Sequence, residues 1–120
     1  MKPLLAKDLA AFMQRFNNFK DGEFRSLEVV SPTTMKIVLA GQDEARAFDW
    51  ISIELELNGV NDARLLENSK LHLVDMGDGI NLIHDESLAF ALGEYDNISS
   101  IKNSLCYIIC TDIKYQEGSF

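Results

Sequence analysis

From Pro3 to Phe19 the apolar positions recur at intervals of three and four. Leu5, Leu9, Phe12, Phe16 and Phe19 draw one stripe, and Lys7, Asp8, Gln14, Arg15 and Asn18 fill the remaining face. That spacing predicts an amphipathic helix over residues 4–19. Pro3 suits its first turn, and Asn17, Asn18 and Asp21-Gly22 supply stop signals. From Phe24 onward the period changes to two. Leu27 and Val29 alternate, Ser31-Pro32-Thr33-Thr34 turns the chain, and Met35, Ile37 and Leu39 alternate again, which predicts a hairpin. Gly41-Gln42-Asp43-Glu44 is expected to be a polar connection. A long strand follows, with Ile51, Ile53, Leu55 and Leu57 on one face and Ser52, Glu54 and Glu56 on the other, ended by Asn58-Gly59.

Residues 60–69 fit a short helical turn or a loop equally well. Leu71 and Leu73 predict a resumed strand, turned by Gly77-Asp78-Gly79 into Ile80 and Leu82. Leu88, Phe90 and Leu92 predict another strand. Gly93 to Asn103 is expected to be a polar connection, and one last strand runs from Leu105 to Tyr115. Short turns between strands favour antiparallel pairing, because parallel crossovers need longer, usually helical, connections. The expected fold is α+β: a single domain over residues 1–120, in which a curved antiparallel sheet of six or seven strands packs against one N-terminal helix. A small sandwich is the alternative.

One position breaks the pattern. Phe48 and Trp50 share the phase of Ser52, Glu54 and Glu56, the phase that faces water. Either a bulge near Asp49–Ile51 switches the phase, or two aromatic side chains stand beside a row of carboxylates.

Composition narrows the functional classes. The 120 residues carry a formal charge of −8. Residues 1–41 hold six Lys/Arg against four Asp/Glu, whereas residues 42–101 hold three against thirteen, and no Lys or Arg lies between Leu71 and Ile101. Such a middle repels phosphate backbones and anionic lipid heads and attracts cationic surfaces, so neither nucleic acid nor membrane is expected as a partner. The apolar runs are too short for a membrane span or an export signal, which points to a cytoplasmic chain. Cys106 and Cys110, four residues apart on one strand, are too far separated to form a disulfide with each other.

Candidate chemistry is sparse. His72 and His84 are the only histidines and belong to no H-x-x-x-H or C-x-x-C element. If the Gly77–Gly79 turn joined two paired strands, the two histidines would approach each other, with Asp75 or Asp85 nearby, but no metal or other cofactor is expected. Asp75-Met76-Gly77-Asp78-Gly79 lacks the alternating oxygen ligands and closing Glu of a calcium loop. No nucleophile elbow or phosphate cradle is present. A catalytic thiol needs an electropositive setting that Asp112 and an acidic chain do not supply to Cys110. No catalytic residue is expected.

The stretch Phe48-Asp49-Trp50-Ile51-Ser52-Ile53-Glu54-Leu55-Glu56-Leu57-Asn58-Gly59-Val60, with the late segment Cys110-Thr111-Asp112-Ile113-Lys114-Tyr115, resembles small acidic β-rich bacterial proteins. Some of these are immunity proteins that neutralise a toxin. The resemblance implies a non-catalytic domain that binds a protein partner with a basic surface. Phe48, Asp49, Trp50, Glu54, Glu56 and Asp62 are the candidate partner-binding residues. Two other readings stand beside it: a small-ligand-binding domain or minor enzyme with His72 or His84 in a pocket between helix and sheet, and a subunit that pairs with its own copy as a homodimer.

Overall fold

In the computed structural model, which describes residues 1–120, the strands divide into two antiparallel sheets instead of one. Nine strands form: β1 (Lys2–Pro3), β2 (Glu23–Ser31), β3 (Thr34–Asp43), β4 (Asp49–Asn58), β5 (Asp62–Arg64), β6 (Ile80–His84), β7 (Leu88–Leu92), β8 (Tyr107–Cys110) and β9 (Asp112–Ser119). The larger sheet runs β1-β9-β4-β3-β2 and the smaller β5-β8-β7-β6. The α+β class holds, but the single curved sheet is replaced by the sandwich.

The reason lies in the segment that alternation makes look like one strand. Residues 105–110 are apolar at every position, whereas 112–119 alternate with polar residues. The chain bends at Thr111 and changes sheets there: Cys106, Ile108 and Cys110 face the core before the bend, Ile113 after it. Strands that switch sheets at a bend make the corners of such sandwiches. Two bonds hold this corner, from the Thr111 N–H (2.9 Å) and Oγ1 (3.1 Å) to the Asn58 carbonyl. Gly59 makes it possible: its φ is +66°, and a β-carbon there would lie 2.0 Å from Thr111 Oγ1.

Between the sheets, Ile37, Leu39, Ile53, Leu55 and Leu57 meet Ile80, Phe90 and Ile108 in one buried cluster. Phe24 meets Phe90 edge to face at 5.9 Å. The small sheet is covered on its outer side as well. Asn97 and Ser100 form a capping box for the short helix α2 (Ile98–Ile101), which seats Ile101 against Ala89, Ala91, Tyr107 and Ile109. This corrects the polar connection expected over 93–103.

The N-terminal helix is shorter than the stripe predicts. α1 spans Leu9–Arg15, with 3-10 turns at Ala6–Asp8 and Asn17–Phe19. Pro3 does not open it. Lys2 and Pro3 instead pair with Tyr115 and Lys114 of β9, and the Leu4 N–H bonds the Ile113 carbonyl at 2.8 Å. That tether buries Leu4 and leaves Leu5 exposed. After α1 the backbone is left-handed at Asn17, Asn18, Phe19 and Asp21. Asn and Asp tolerate that region, whereas Phe19 is held in it by a fully buried ring seated over Gly41, where a β-carbon would lie 2.9 Å from the ring. Phe12 reaches Tyr115 at 5.2 Å, so the helix closes the side of the sandwich between the large sheet and β6.

Leu71 and Leu73 belong to a 3-10 turn, Asn68–Leu73, and not to a strand. The turn lies along the free edge of β2, where the Asn68 amide bonds both the Leu27 N–H (2.8 Å) and the Leu27 carbonyl (2.6 Å). A side chain thus occupies an edge that would otherwise template another strand. No helix of the protein is long and apolar enough to cross a membrane.

Candidate functional site

The aromatic anomaly is resolved by register. Asp43 through Thr34 pair with Asp49 through Asn58 without a slip, and β9 pairs with β4 from Ile51 to Asn58 equally regularly. No bulge intervenes, so Trp50 stays on the outer face with Ser52, Glu54 and Glu56. The turn that delivers it is tight. Asp43 Oδ1 accepts the Ala45 N–H at 2.9 Å, and Ala47 and Phe48 are both left-handed. Phe48 is 60 % exposed and Trp50 38 %. The Trp50 ring lies 5.3 Å from that of Phe120, over which the Arg25 guanidinium sits at 4.3 Å. Arg25 also donates to the Phe120 carbonyl at 3.1 Å. Beside this stack, Phe48 and Trp50 line a groove of about 360 Å³ with Arg15, Lys20, Gln42 and Glu44.

Of the six candidate residues, Phe48 and Trp50 come together, whereas Asp49 between them lies in the opposite strand phase, across from Asp43, and does not line the groove. Glu54 and Glu56 lie further along the same face, where cations interleave with them. Lys36 and Lys114 flank Glu56 on the neighbouring strands, Glu28 stands across from Lys36, and Lys36 Nζ approaches Glu54 at 3.9 Å. Charge therefore alternates across four strands, and the carboxylate row is locally balanced. Asp62 is elsewhere, on β5 of the small sheet, accepting from the Tyr107 hydroxyl at 3.3 Å with Lys102 Nζ at 3.7 Å. Acids without an ion pair are spread over both sheets, and some of them lie on the connections of the small sheet. Asp75, Asp78 and Asp96 make none, while Glu94 pairs with Lys20 at 3.0 Å. The two connections touch, Gly93 N–H bonding the Gly79 carbonyl at 2.9 Å.

A further group of charges was not visible in the pattern. Asp43, expected in a polar connection, ends β3 facing inward and is fully buried. Arg15 donates to both its oxygens at 2.7 Å and reaches Glu117 at 2.8 Å, and Arg46 donates to Glu117 at 2.6 Å. Bidentate geometry of this kind is the strong form of an ion pair. The Arg15 hydrogen bonds hold the Asp43 and Glu117 carboxyls below their ordinary ranges and raise the guanidinium in turn. Two cations and two anions satisfy one another, so the network pins α1 to the end of the large sheet.

The nucleophiles and histidines do not converge. Burial pushes the Cys106 thiol up to about 11 and Cys110, aided by Asp112, up to about 12, so both stay protonated at neutral pH. His72 is exposed on the 3-10 turn. His84 ends β6, which pairs with β7 and not with the His72 segment, so the Gly77–Gly79 turn does not bring the histidines together. No three His, Cys, Asp or Glu side chains lie close enough to hold a metal ion. His84 does line an open groove of about 720 Å³ between α1 and β6, with Asn18, Asn81 and Asp96. No family model, curated protein or solved structure matches the chain.

Proposed function

We propose that the chain is a non-catalytic protein-interaction domain that receives its partner on the outer face of the large sheet around Trp50. The observation that carries this reading is the unbroken register of β4, which keeps Trp50 outside the core, with Phe48 exposed beside it on the preceding left-handed turn. Trp beside Arg is the composition from which binding hot spots are built, and Trp50, Phe120 and Arg25 already stack there. The net charge of −8 draws a cationic partner to the molecule, and local contacts then select it. An immunity protein that covers the basic site of a toxin is the specific form of this reading.

The test begins with capture of partners from the native host and purification of the strongest. Calorimetric titration then compares the unmodified chain with the Phe48→Ala/Trp50→Ala and Glu54→Lys/Glu56→Lys variants at low and high salt. The aromatic pair is expected to weaken binding about thirtyfold or more. Raised salt and the lysine pair are expected to weaken it further through slower association. An affinity indifferent to the aromatic pair rejects the site, and one indifferent to both salt and the lysine pair rejects the electrostatic part.

The groove at His84 favours a second reading, a small-ligand-binding domain, because it sets one imidazole among amide side chains between helix and sheet. A thermal-shift screen with metabolites addresses it. A melting temperature raised in the unmodified chain but not in His84→Ala is the expected sign, and a shift retained in the variant removes His84 from the site.

A further inference from the structure

The two most exposed large apolar side chains of the molecule are Leu73, at 73 %, and Leu105, at 71 %. Both line the same groove, of about 530 Å³, at the end of the small sheet. Single exposed leucines need no explanation. Two that converge on one concave surface do.

Each is exposed for a local reason. In a 3-10 turn successive side chains are about 120° apart. Burial of Leu71 against the core, with Asn68 fixed to β2, therefore aims Leu73 away from it. Leu105 shares the outer phase of Tyr107 and Ile109 but lies ahead of β8, outside the cluster built on Ile101. Leu66, Val74, Leu92 and Tyr95 complete the apolar wall.

The rim has a sign. Asp75 and Asp78 stand on it without an ion pair, and Lys70 is the one cation among the lining residues. Asp75 spends one oxygen on the Gly77 N–H at 2.8 Å. Of the neighbouring cations, Lys20 is taken by Glu94 and Arg64 by the Lys102 and Ser104 carbonyls, so neither pairs with them. An apolar floor with an anionic rim complements a segment that presents an aliphatic side chain flanked by cations.

We propose that this groove is a second docking site, taking a protein segment with leucine-sized side chains next to lysine or arginine. It shares no residue with the Trp50 patch, so it stands or falls separately.

The probe is a synthetic peptide of leucines flanked by lysines, with a counterpart carrying glutamate in place of lysine. Each is titrated into the full ¹⁵N-labelled chain and followed by amide shifts. The lysine peptide is expected to move amides of Leu66, Leu73 to Asp78, Leu92 to Tyr95 and Asn103 to Leu105, and the glutamate peptide to move none. Leu73→Ser/Leu105→Ser, which removes the apolar contacts without changing charge, is expected to raise Kd about tenfold or more. Asp75→Asn/Asp78→Asn, which keeps the Gly77 bond and removes only charge, is expected to raise it about threefold. Phe48→Ala/Trp50→Ala should leave it unchanged, which separates this site from the one above. Equal binding of both peptides, shifts mapping to other acidic surfaces, or no shift at millimolar peptide overturns the proposal. So does sedimentation showing a dimer that the leucine pair dissolves, since a second copy is then the occupant.

Discussion

The two sheets share one core but treat their outer faces in opposite ways. The large sheet leaves its outer face to water and stabilises it with cross-strand charge: Glu28, Lys36, Glu56 and Lys114 alternate in sign across four strands. The small sheet is covered on both sides, so all five residues of β7 are buried, with alanines beneath Ile101 and large side chains toward the core. Sheets with one wet face read as alternation and sheets with two dry faces as continuous apolar runs. The contrast teaches where recognition can reside. An aromatic residue is conspicuous on the large sheet because its neighbours are polar, whereas on the small sheet only residues past the reach of α2, such as Leu105, remain available.

If the difference between the outer faces is real, substitutions on them should differ in cost. The largest effect is expected at Ile101→Ala, which strips the cover of the small sheet; it should lose about 3 kcal/mol in urea denaturation. A loss below about 1 kcal/mol would mean that α2 is an ornament and the small sheet is effectively one-sided. Next comes Arg15→Met, which leaves Asp43 buried without its bidentate partner at the edge of the large sheet; about 2 kcal/mol is expected at neutral pH. Here the sign of the pH dependence is fixed. Asp43 and Glu117 titrate lower in the folded chain than in the unfolded one. The stabilisation is therefore complete above the unfolded carboxyl values of about 4 and falls away as pH drops through the lower folded values. The gap between the unmodified chain and Arg15→Met should close over that acid range, and a gap constant with pH would sink the pin. The smallest effect belongs to Glu56→Lys on the wet face, which puts three lysines side by side yet should cost less than about 1 kcal/mol and shrink in salt.

The same contrast explains what could be read in advance. The runs of β3 and β4 follow period two because one of their faces is wet, and their pattern names their core residues and the misplaced Trp50. β2 departs from it, since a register shift between Phe24 and Ser26 turns Phe24 and Leu27 both inward three positions apart, and Val29, expected on the apolar face, is exposed. The α1 stripe is legible too, although its ends are set by a strand pairing at Lys2–Pro3 that no local pattern carries. The small sheet is where alternation misleads. With both faces dry, Leu105 to Cys110 lose the contrast that would mark their phase, so the change of sheet at Thr111 is masked. Leu71 and Leu73 resemble strand residues for want of a period in a turn so short. Asp43 escaped notice because its partner Arg15 is 28 positions away, and a carboxylate in a polar run looks solvated until the tertiary fold supplies a guanidinium.

The corner at Thr111 has a consequence for assembly. Because β8 and β9 are consecutive, residues 107–119 furnish the strand beside β5 and β7 in one layer and the strand between β1 and β4 in the other. Neither layer can be completed while this segment is missing, so the two layers cannot mature as independent units. Pairing of β9 with β1 joins positions more than a hundred apart along the chain, and closures of that length are slow. The joint couples the exposed outer face of one layer to the dry packing of the other: whatever loosens the small sheet also loosens the strand paired beside β4.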